Sequence, residues 1–234
     1  TIFMPPVTQR ELQSDILKTF TRSKIDNSWA FADKTRTQTA YITHGYHRYP
    51  AKFIPQLVSR LINHYTKKGD FVIDPFGGCG TTLVEAKTLG RKSAGVDINP
   101  VAVLITKVKI TPLDPIETEN IFSKLDEKIN SYNPAKNKKY PAHERIDYWF
   151  KPQEKHKLAY LLDLISDVKD QDIKDFLYCA FSNILKGSSI WLQKSNKPTR
   201  DFEKVPYDPF HSFRKQLKMQ IRRNYDFNNL LKEN

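Results

Sequence analysis

The sequence predicts an α/β fold, a partial parallel sheet followed by an added helical region. Three observations predict it. The short apolar run "FVID" at 71–74 leads directly into the glycine-rich "PFGGCGTT". "TTLVEAKTLG" then has the length of a helix closed by Gly90, and "SAGVDI" reads as a second strand, which together make the first half of a βαβ unit. Beyond Pro112 the apolar residues recur at helical rather than alternating spacing.

In chain order, Thr8 with Glu11 three positions later forms a capping-box signature, and Leu12, Ile16 and Phe20 follow at helical spacing. From about 23 to 48 the chain turns polar and irregular. "IPQLVSRLINHYTKKG" predicts a helix with Pro55 in its first turn and Gly69 at its end. "FVID" predicts a short buried strand. "PVAVLITKVKI" at 100–110 fits a helix or a third strand, with Pro100 favouring the helix.

Residues 116–131, 153–169 and 172–187 read as helices, the second through Leu158, Leu161, Leu162 and Ile165. Residues 133–141 and 188–209 read as loops. From Phe210 onward, Phe213, Leu217 and Ile221 form an apolar stripe flanked by Arg214, Lys215, Lys218, Arg222 and Arg223, a basic amphipathic helix. Three portions result: an N-terminal helix and irregular arm (1–40), an α/β portion (41–112) and a helical, basic region (113–234).

The 234 residues carry 38 Lys and Arg against 26 Asp and Glu, a formal charge of +12, which points to a polyanionic partner. Nucleic acid comes first and an anionic membrane surface second; a merely solubilising surface is the third reading. With 39% hydrophobic residues there is ample material for a core. Cys79 and Cys179 have neither disulfide nor metal-ligand spacing, so a reduced, cytoplasmic setting and no metal are expected. No apolar run approaches the roughly 20 residues of a membrane span.

Glycines at the exit of a strand serve either a tight turn or a ligand that must approach bare backbone. In a parallel α/β sheet, ligands bind beyond the carboxyl ends of the strands. Asp74 lies at such an end, Gly78 and Gly80 would open the backbone, and the amides near Thr81 and Thr82 begin a helix. Asp97, at the end of the second strand, is placed to accept hydrogen bonds from a ribose, or is simply a strand end. A nucleoside-containing cofactor fits both ends of the unit.

The wording is more specific. "DPFGGCGTT" resembles the cofactor signature D-P-F-x-G-x-G-T-T of the DNA amino-methyltransferases, matched by Asp74, Pro75, Phe76, Gly78, Gly80, Thr81 and Thr82. Cys79 stands where serine is frequent. "GVDINP" resembles the acidic strand end that follows, which implies Asp97 on the ribose and Ile98 beside the adenine, with Asn99 next to them. "HGYHRYPAKFIP" resembles the segment closing the methionine side of the S-adenosylmethionine pocket, its core here His47, Tyr49, Pro50, Ala51, Lys52 and Phe53. Gly77 completes the implied cofactor set.

The resemblance implies a partial Rossmann-like methyltransferase sheet, S-adenosyl-L-methionine as cofactor and double-stranded DNA as substrate, methylated on an adenine or cytosine amine. It continues more loosely through "DYWFKPQEK" to "NKPTRDFEKVPYDPF", covering about residues 40–215. It also implies a DNA-facing surface with Lys194, Lys197, Arg200 and the basic helix, whose cations could equally form a solvated face. Trp149 and Phe150 fit core packing or a DNA contact.

That family's catalytic motif, (D/N/S)-P-P-(Y/F/W), is not found in these 234 residues. "YDPF" at 207–210 has a single proline and no buried strand before it, and reads as a loop. The catalytic residues are therefore unknown, and a second polypeptide or a missing segment is expected to supply them with the remaining strands. The alternatives are a non-catalytic DNA-binding specificity or regulatory subunit, and an RNA (tRNA guanine) methyltransferase.

Overall fold

The computed structural model describes residue 21 and residues 26–135, 143–195 and 197–233. The expected helix at 8–20 lies outside them. Residues 1–33 and 34–234 form two compact units. In the first, a 3-10 turn at Asn27–Trp29 is capped by Asp26, whose side chain accepts from the Ser28 amide.

The second unit begins with a short helix α1 (Arg36–Thr39), closed by a capping box between Thr35 and Gln38, and a 3-10 turn at Ile42–Gly45. Helix α2 (Pro55–Tyr65) has Pro55 in its first turn, as expected. It stops earlier than Gly69, because Thr66 turns extended and its hydroxyl bonds the Ile62 carbonyl. Gly69, at φ +87, serves the turn into the sheet instead.

Strand β1 (Phe71–Asp74), helix α3 (Thr81–Thr88) and strand β2 (Lys92–Gly95) follow. The two strands pair in parallel, Phe71 opposite Lys92 and Asp74 opposite Gly95. Val72 packs with Val58, Ile62, Ala86 and Leu89, so α2 and α3 cover one face. The expectation of a buried strand is corrected: Phe71 and Ile73, alternating onto the opposite face, are 58% and 66% exposed. Among the described residues each strand also keeps one edge without a partner.

Residues Pro100–Ile110 form helix α4, not a third strand. Pro100 occupies its first turn and the Asn99 side chain accepts from the Val101 amide. The remaining helices are α5 (Pro115–Asn130), α6 (Glu144–Trp149), α7 (Pro152–Ser166), α8 (Gln171–Ile184) and α9 (Pro209–Glu233). Their apolar stripes make the main core, where Ile105, Leu125, Leu161, Phe176, Phe213 and Leu217 meet. The fold is thus a small parallel sheet joined to a larger helical body. No helix among the described residues is long and apolar enough to cross a membrane.

Candidate cofactor cleft

The glycine loop between β1 and α3 is held from behind by α4. Thr106 Oγ1 donates to the Gly78 carbonyl at 3.0 Å, and Lys109 Nζ to the Cys79 carbonyl at 2.6 Å. From the sheet side, the Asp97 carboxylate accepts the Gly78 amide at 2.8 Å and the Asn99 amide at 2.8 Å. Asp97 lies just beyond β2, which ends at Gly95. Carbonyls are thereby engaged on the far side of the loop. The first-turn amides of α3 start from Gly80, which has no side chain to cap them.

In front of the loop is a cleft of about 550 Å³. The arm before α2 contributes Tyr49, Ala51, Lys52 and Phe53, and the sheet end and loop contribute Asp74, Phe76, Gly77, Gly78, Thr81 and Thr82. Ten of the residues expected at a cofactor site are thus brought together. A second hollow of about 190 Å³ lies across Gly77 and Gly78 from the first and contains Asp97 and Val96. Ile98 is fully exposed and Asn99 caps α4; neither they nor Pro50 line the large cleft.

Gly78 and Gly80 both have left-handed backbone, at φ +51 and +75. They do different work. A Cβ on Gly78 would meet only Tyr49 Cε1, at 3.7 Å, and the Phe76 carbonyl, so it would project into the cleft. A Cβ on Gly80 would come within 2.7 Å of Thr106 Cγ2. The expectation that Gly80 opens space for a cofactor is therefore corrected; it lets the loop approach α4.

A buried polar cluster seats the arm on α3. Glu85, 2% exposed, accepts from the Tyr41 hydroxyl and from His44 Nε2, the latter at 2.7 Å. Burial holds the His44 imidazole down to about 4, so it is neutral at pH 7 and donates through Nε2. Lys52 Nζ donates to the His44 carbonyl at 3.0 Å, and burial lowers its pKa. Further along, His47 Nε2 meets Ser182 Oγ at 3.2 Å and the Arg48 amide donates to Asn183 at 3.1 Å, tying the arm to α8. Ala51 is held at φ +53, a conformation that stores strain where the arm borders the cleft.

Sequence reasoning missed Lys109, Glu85 and the contribution of α2, whose Leu61 and Tyr65 line the cleft. Lys109 had a signal: Ala102, Ile105 and Lys109 fall on one helical face, so a lysine there must be buried.

The cations expected to face DNA divide. Lys194, Lys197, Lys215, Lys218 and Arg222 are exposed. Arg214 bonds Asp126 and Asn130 of α5, Arg223 packs against Gly45, and Arg200 lies between two aromatic rings. "YDPF" forms a loop end entering α9, with Asp208 paired to Lys157. Phe150 packs on the core and Trp149 stacks on Trp191. Among the described residues no cluster could hold a metal ion.

The chain is 33% identical over 172 residues to the type II methyltransferase M.MvaI of Kocuria varians, covering 70% of this chain and 38% of that protein. It is 38% identical over 113 residues to M.MjaII of Methanocaldococcus jannaschii, covering 47% of this chain and 21% of the relative. M.BsoBI of Geobacillus stearothermophilus is 45% identical over 60 residues, 25% of this chain and 12% of the relative. The chain therefore spans well under half the length of these relatives. No solved structure matches it. Residues 7–108 match the DNA methylase family, and they include the arm, the glycine loop and Asp97. Over that segment the chain is similar to the DNA methylase family, and over 172 residues to a type II methyltransferase.

Proposed function

We propose that this chain supplies the S-adenosylmethionine site and part of the DNA-binding surface of an enzyme that methylates an exocyclic amine of adenine or cytosine in DNA. The observation that carries the reading is the cradle at Gly78. It is a position where a side chain would enter the cleft, between the Asp97 carboxylate and uncapped amides of α3. Such amides suit the carboxylate of an amino acid, and an acid beyond the neighbouring strand suits ribose hydroxyls. Exposed Ile98, next to Asp97, offers an apolar face to an adenine.

When bound, the cofactor supplies a methyl group activated on sulfur, so the work left to the protein is positioning. Tyr49, Lys52 and Phe53 close the cleft from the arm, while Thr106 and Lys109 keep the loop carbonyls turned away from it. The exocyclic amine needs a polar acceptor near the methyl, and its base must leave the duplex. That acceptor belongs to the (D/N/S)-P-P-(Y/F/W) motif, which we assign to another polypeptide or another segment.

The open sheet supports this assignment. Phe71, Ile73, Val96 and Phe76 are at least half exposed, and both strands have free edges among the described residues. Soluble proteins pair or cover such edges. Completing a Rossmann-like sheet here would bury an interface of the obligate kind, above ~2,000 Å² in total. The test is methyl transfer to unmodified DNA by this chain with and without a chain carrying that motif. Activity only in the mixture supports the proposal; activity of neither would remove it.

A further inference from the structure

The 185–208 connection between α8 and α9 is long, and among its described residues a single antiparallel bridge, joining Trp191 to Arg200, is the only strand-like pairing. Segments of this length in a compact body are uncommon and commonly functional. This one is well anchored. Trp191 stacks on Trp149 of α6 at 5.1 Å, and the Ile190 amide donates to the Trp149 carbonyl at 2.9 Å. Lys204 Nζ donates to the carbonyls of Lys186 and Trp191 at 3.0 and 2.8 Å.

On this base the Arg200 guanidinium is clamped between the rings of Tyr148 and Phe202, 4.1 and 4.3 Å from their centroids. Both rings are open to solvent, 49% and 68% exposed, too wet to be core. Arg200 Nε is buried without a hydrogen-bond partner, so the edge offered outward is that of the two terminal nitrogens. Rings occupy the faces of a guanidinium and leave its donating edge available. Lys194 and Lys197 are exposed on the same loop. The connection also leaves α8 beside Ser182 and Asn183, which hold His47 and Arg48, the residues just before cleft-lining Tyr49. The surface is thereby joined, through one helix end, to the arm over the cofactor cleft.

We propose that this loop and the end of α6 form the surface that engages duplex DNA, with Arg200 on a base edge and Lys194 and Lys197 on phosphates. The proposal rests on the DNA reading above and adds the residues that would contact the substrate. A pre-oriented planar fork matches the paired acceptors of a base edge, and lysine cannot reproduce it. Lysines on phosphates add affinity without sequence information.

The test is fluorescence anisotropy of the 234-residue chain with a labelled 30-base-pair duplex selected from a randomised pool for tightest binding to the wild-type chain, across a salt series. Arg200→Lys should weaken binding about tenfold or more while leaving the salt slope unchanged. A Lys194→Ala, Lys197→Ala double variant should reduce that slope by about 2 × 0.9. A Tyr148→Leu, Phe202→Leu variant should fall with Arg200→Lys, and far-ultraviolet circular dichroism and cooperative urea unfolding should show every variant folded. Wild-type affinity in Arg200→Lys, an unaltered slope in the lysine variant, or displacement of the duplex by an equal amount of structured RNA would each overturn the proposal. So would failure of the wild-type chain to bind the duplex. Calorimetry of S-adenosylmethionine on the same proteins reports on the cofactor site separately, because none of these side chains lines it.

Discussion

The ammonium of Lys109 donates to the carbonyl oxygen of Cys79 at 2.6 Å with only 1% of the residue exposed. The contact ties α4 to the glycine loop. Burial brings the lysine down to about 8, against an ordinary value of 10.5. The groups around it are Lys52 from the arm, Cys79 from the loop and Cys179 from α8. Between pH 8 and 10.5 the unfolded chain keeps a proton that folded Lys109 has released, so stability rises with pH there. Burial raises Cys179 to about 12, which opposes the rise above pH 9. Unfolding free energies from urea titration should therefore increase from pH 7.5 to 9 by about 1 kcal/mol from this group. Lys109→Met should lose most of the increase, leaving the smaller contribution of Lys52. An unchanged slope in that variant would exonerate Lys109.

His44 governs the acid side. Its folded value of about 4 lies below the usual 6.5, so the unfolded chain takes up the proton first as pH falls. Stability present above pH 6.5 should decline through pH 4. His44→Gln retains a donor towards Glu85 without titrating, and its thermal unfolding should fall less between pH 6.5 and 5. Parallel declines for the two proteins would place the acid sensitivity elsewhere.

Gly78 and Gly80 should separate binding from folding. Gly80→Val would set a side chain 2.7 Å from Thr106 on a left-handed backbone and should cost about 3 kcal/mol or more. Gly78→Val bears the backbone strain alone, about 1–2 kcal/mol, but should lose S-adenosylmethionine binding because its side chain enters the cleft. Denaturation and calorimetry on both variants check the pair; the reverse ranking would contradict the geometry.

Much of this site was legible because its signals are local. Asp74, the glycines, Thr81 and Thr82 are adjacent in sequence, and Pro100 with Asn99 starts α4 as helix-entry chemistry requires. The buried reading of β1 failed for a non-local reason. Phe71 and Ile73 have the composition of a buried strand, yet what covers that face is not among the described residues. The roles of Arg214 and Arg223 were equally illegible, since their partners Asp126, Asn130 and Gly45 are distant in sequence.

Those partners divide the cations of α9. Arg214→Ala should cost roughly 0.5–1 kcal/mol of stability, because its partly exposed ion pair joins α9 to α5. Neutralising exposed Lys215, Lys218 and Arg222 together should leave stability within about 0.5 kcal/mol. If each touches one duplex phosphate, the salt slope of DNA binding should fall by about 3 × 0.9. A triple variant with an unaltered slope would place this helix away from the duplex.

The central claim is that the cleft at Gly78 binds S-adenosylmethionine, and calorimetry of the 234-residue chain with that ligand tests it most directly. The account predicts one site per chain, with affinity weakened by about 1.5–3 kcal/mol in Asp97→Ala, which removes a charge-assisted acceptor and the brace on the Gly78 amide. A folded chain that gives no binding heat with S-adenosylmethionine, or an Asp97→Ala variant that binds it as tightly as the wild type, would contradict it.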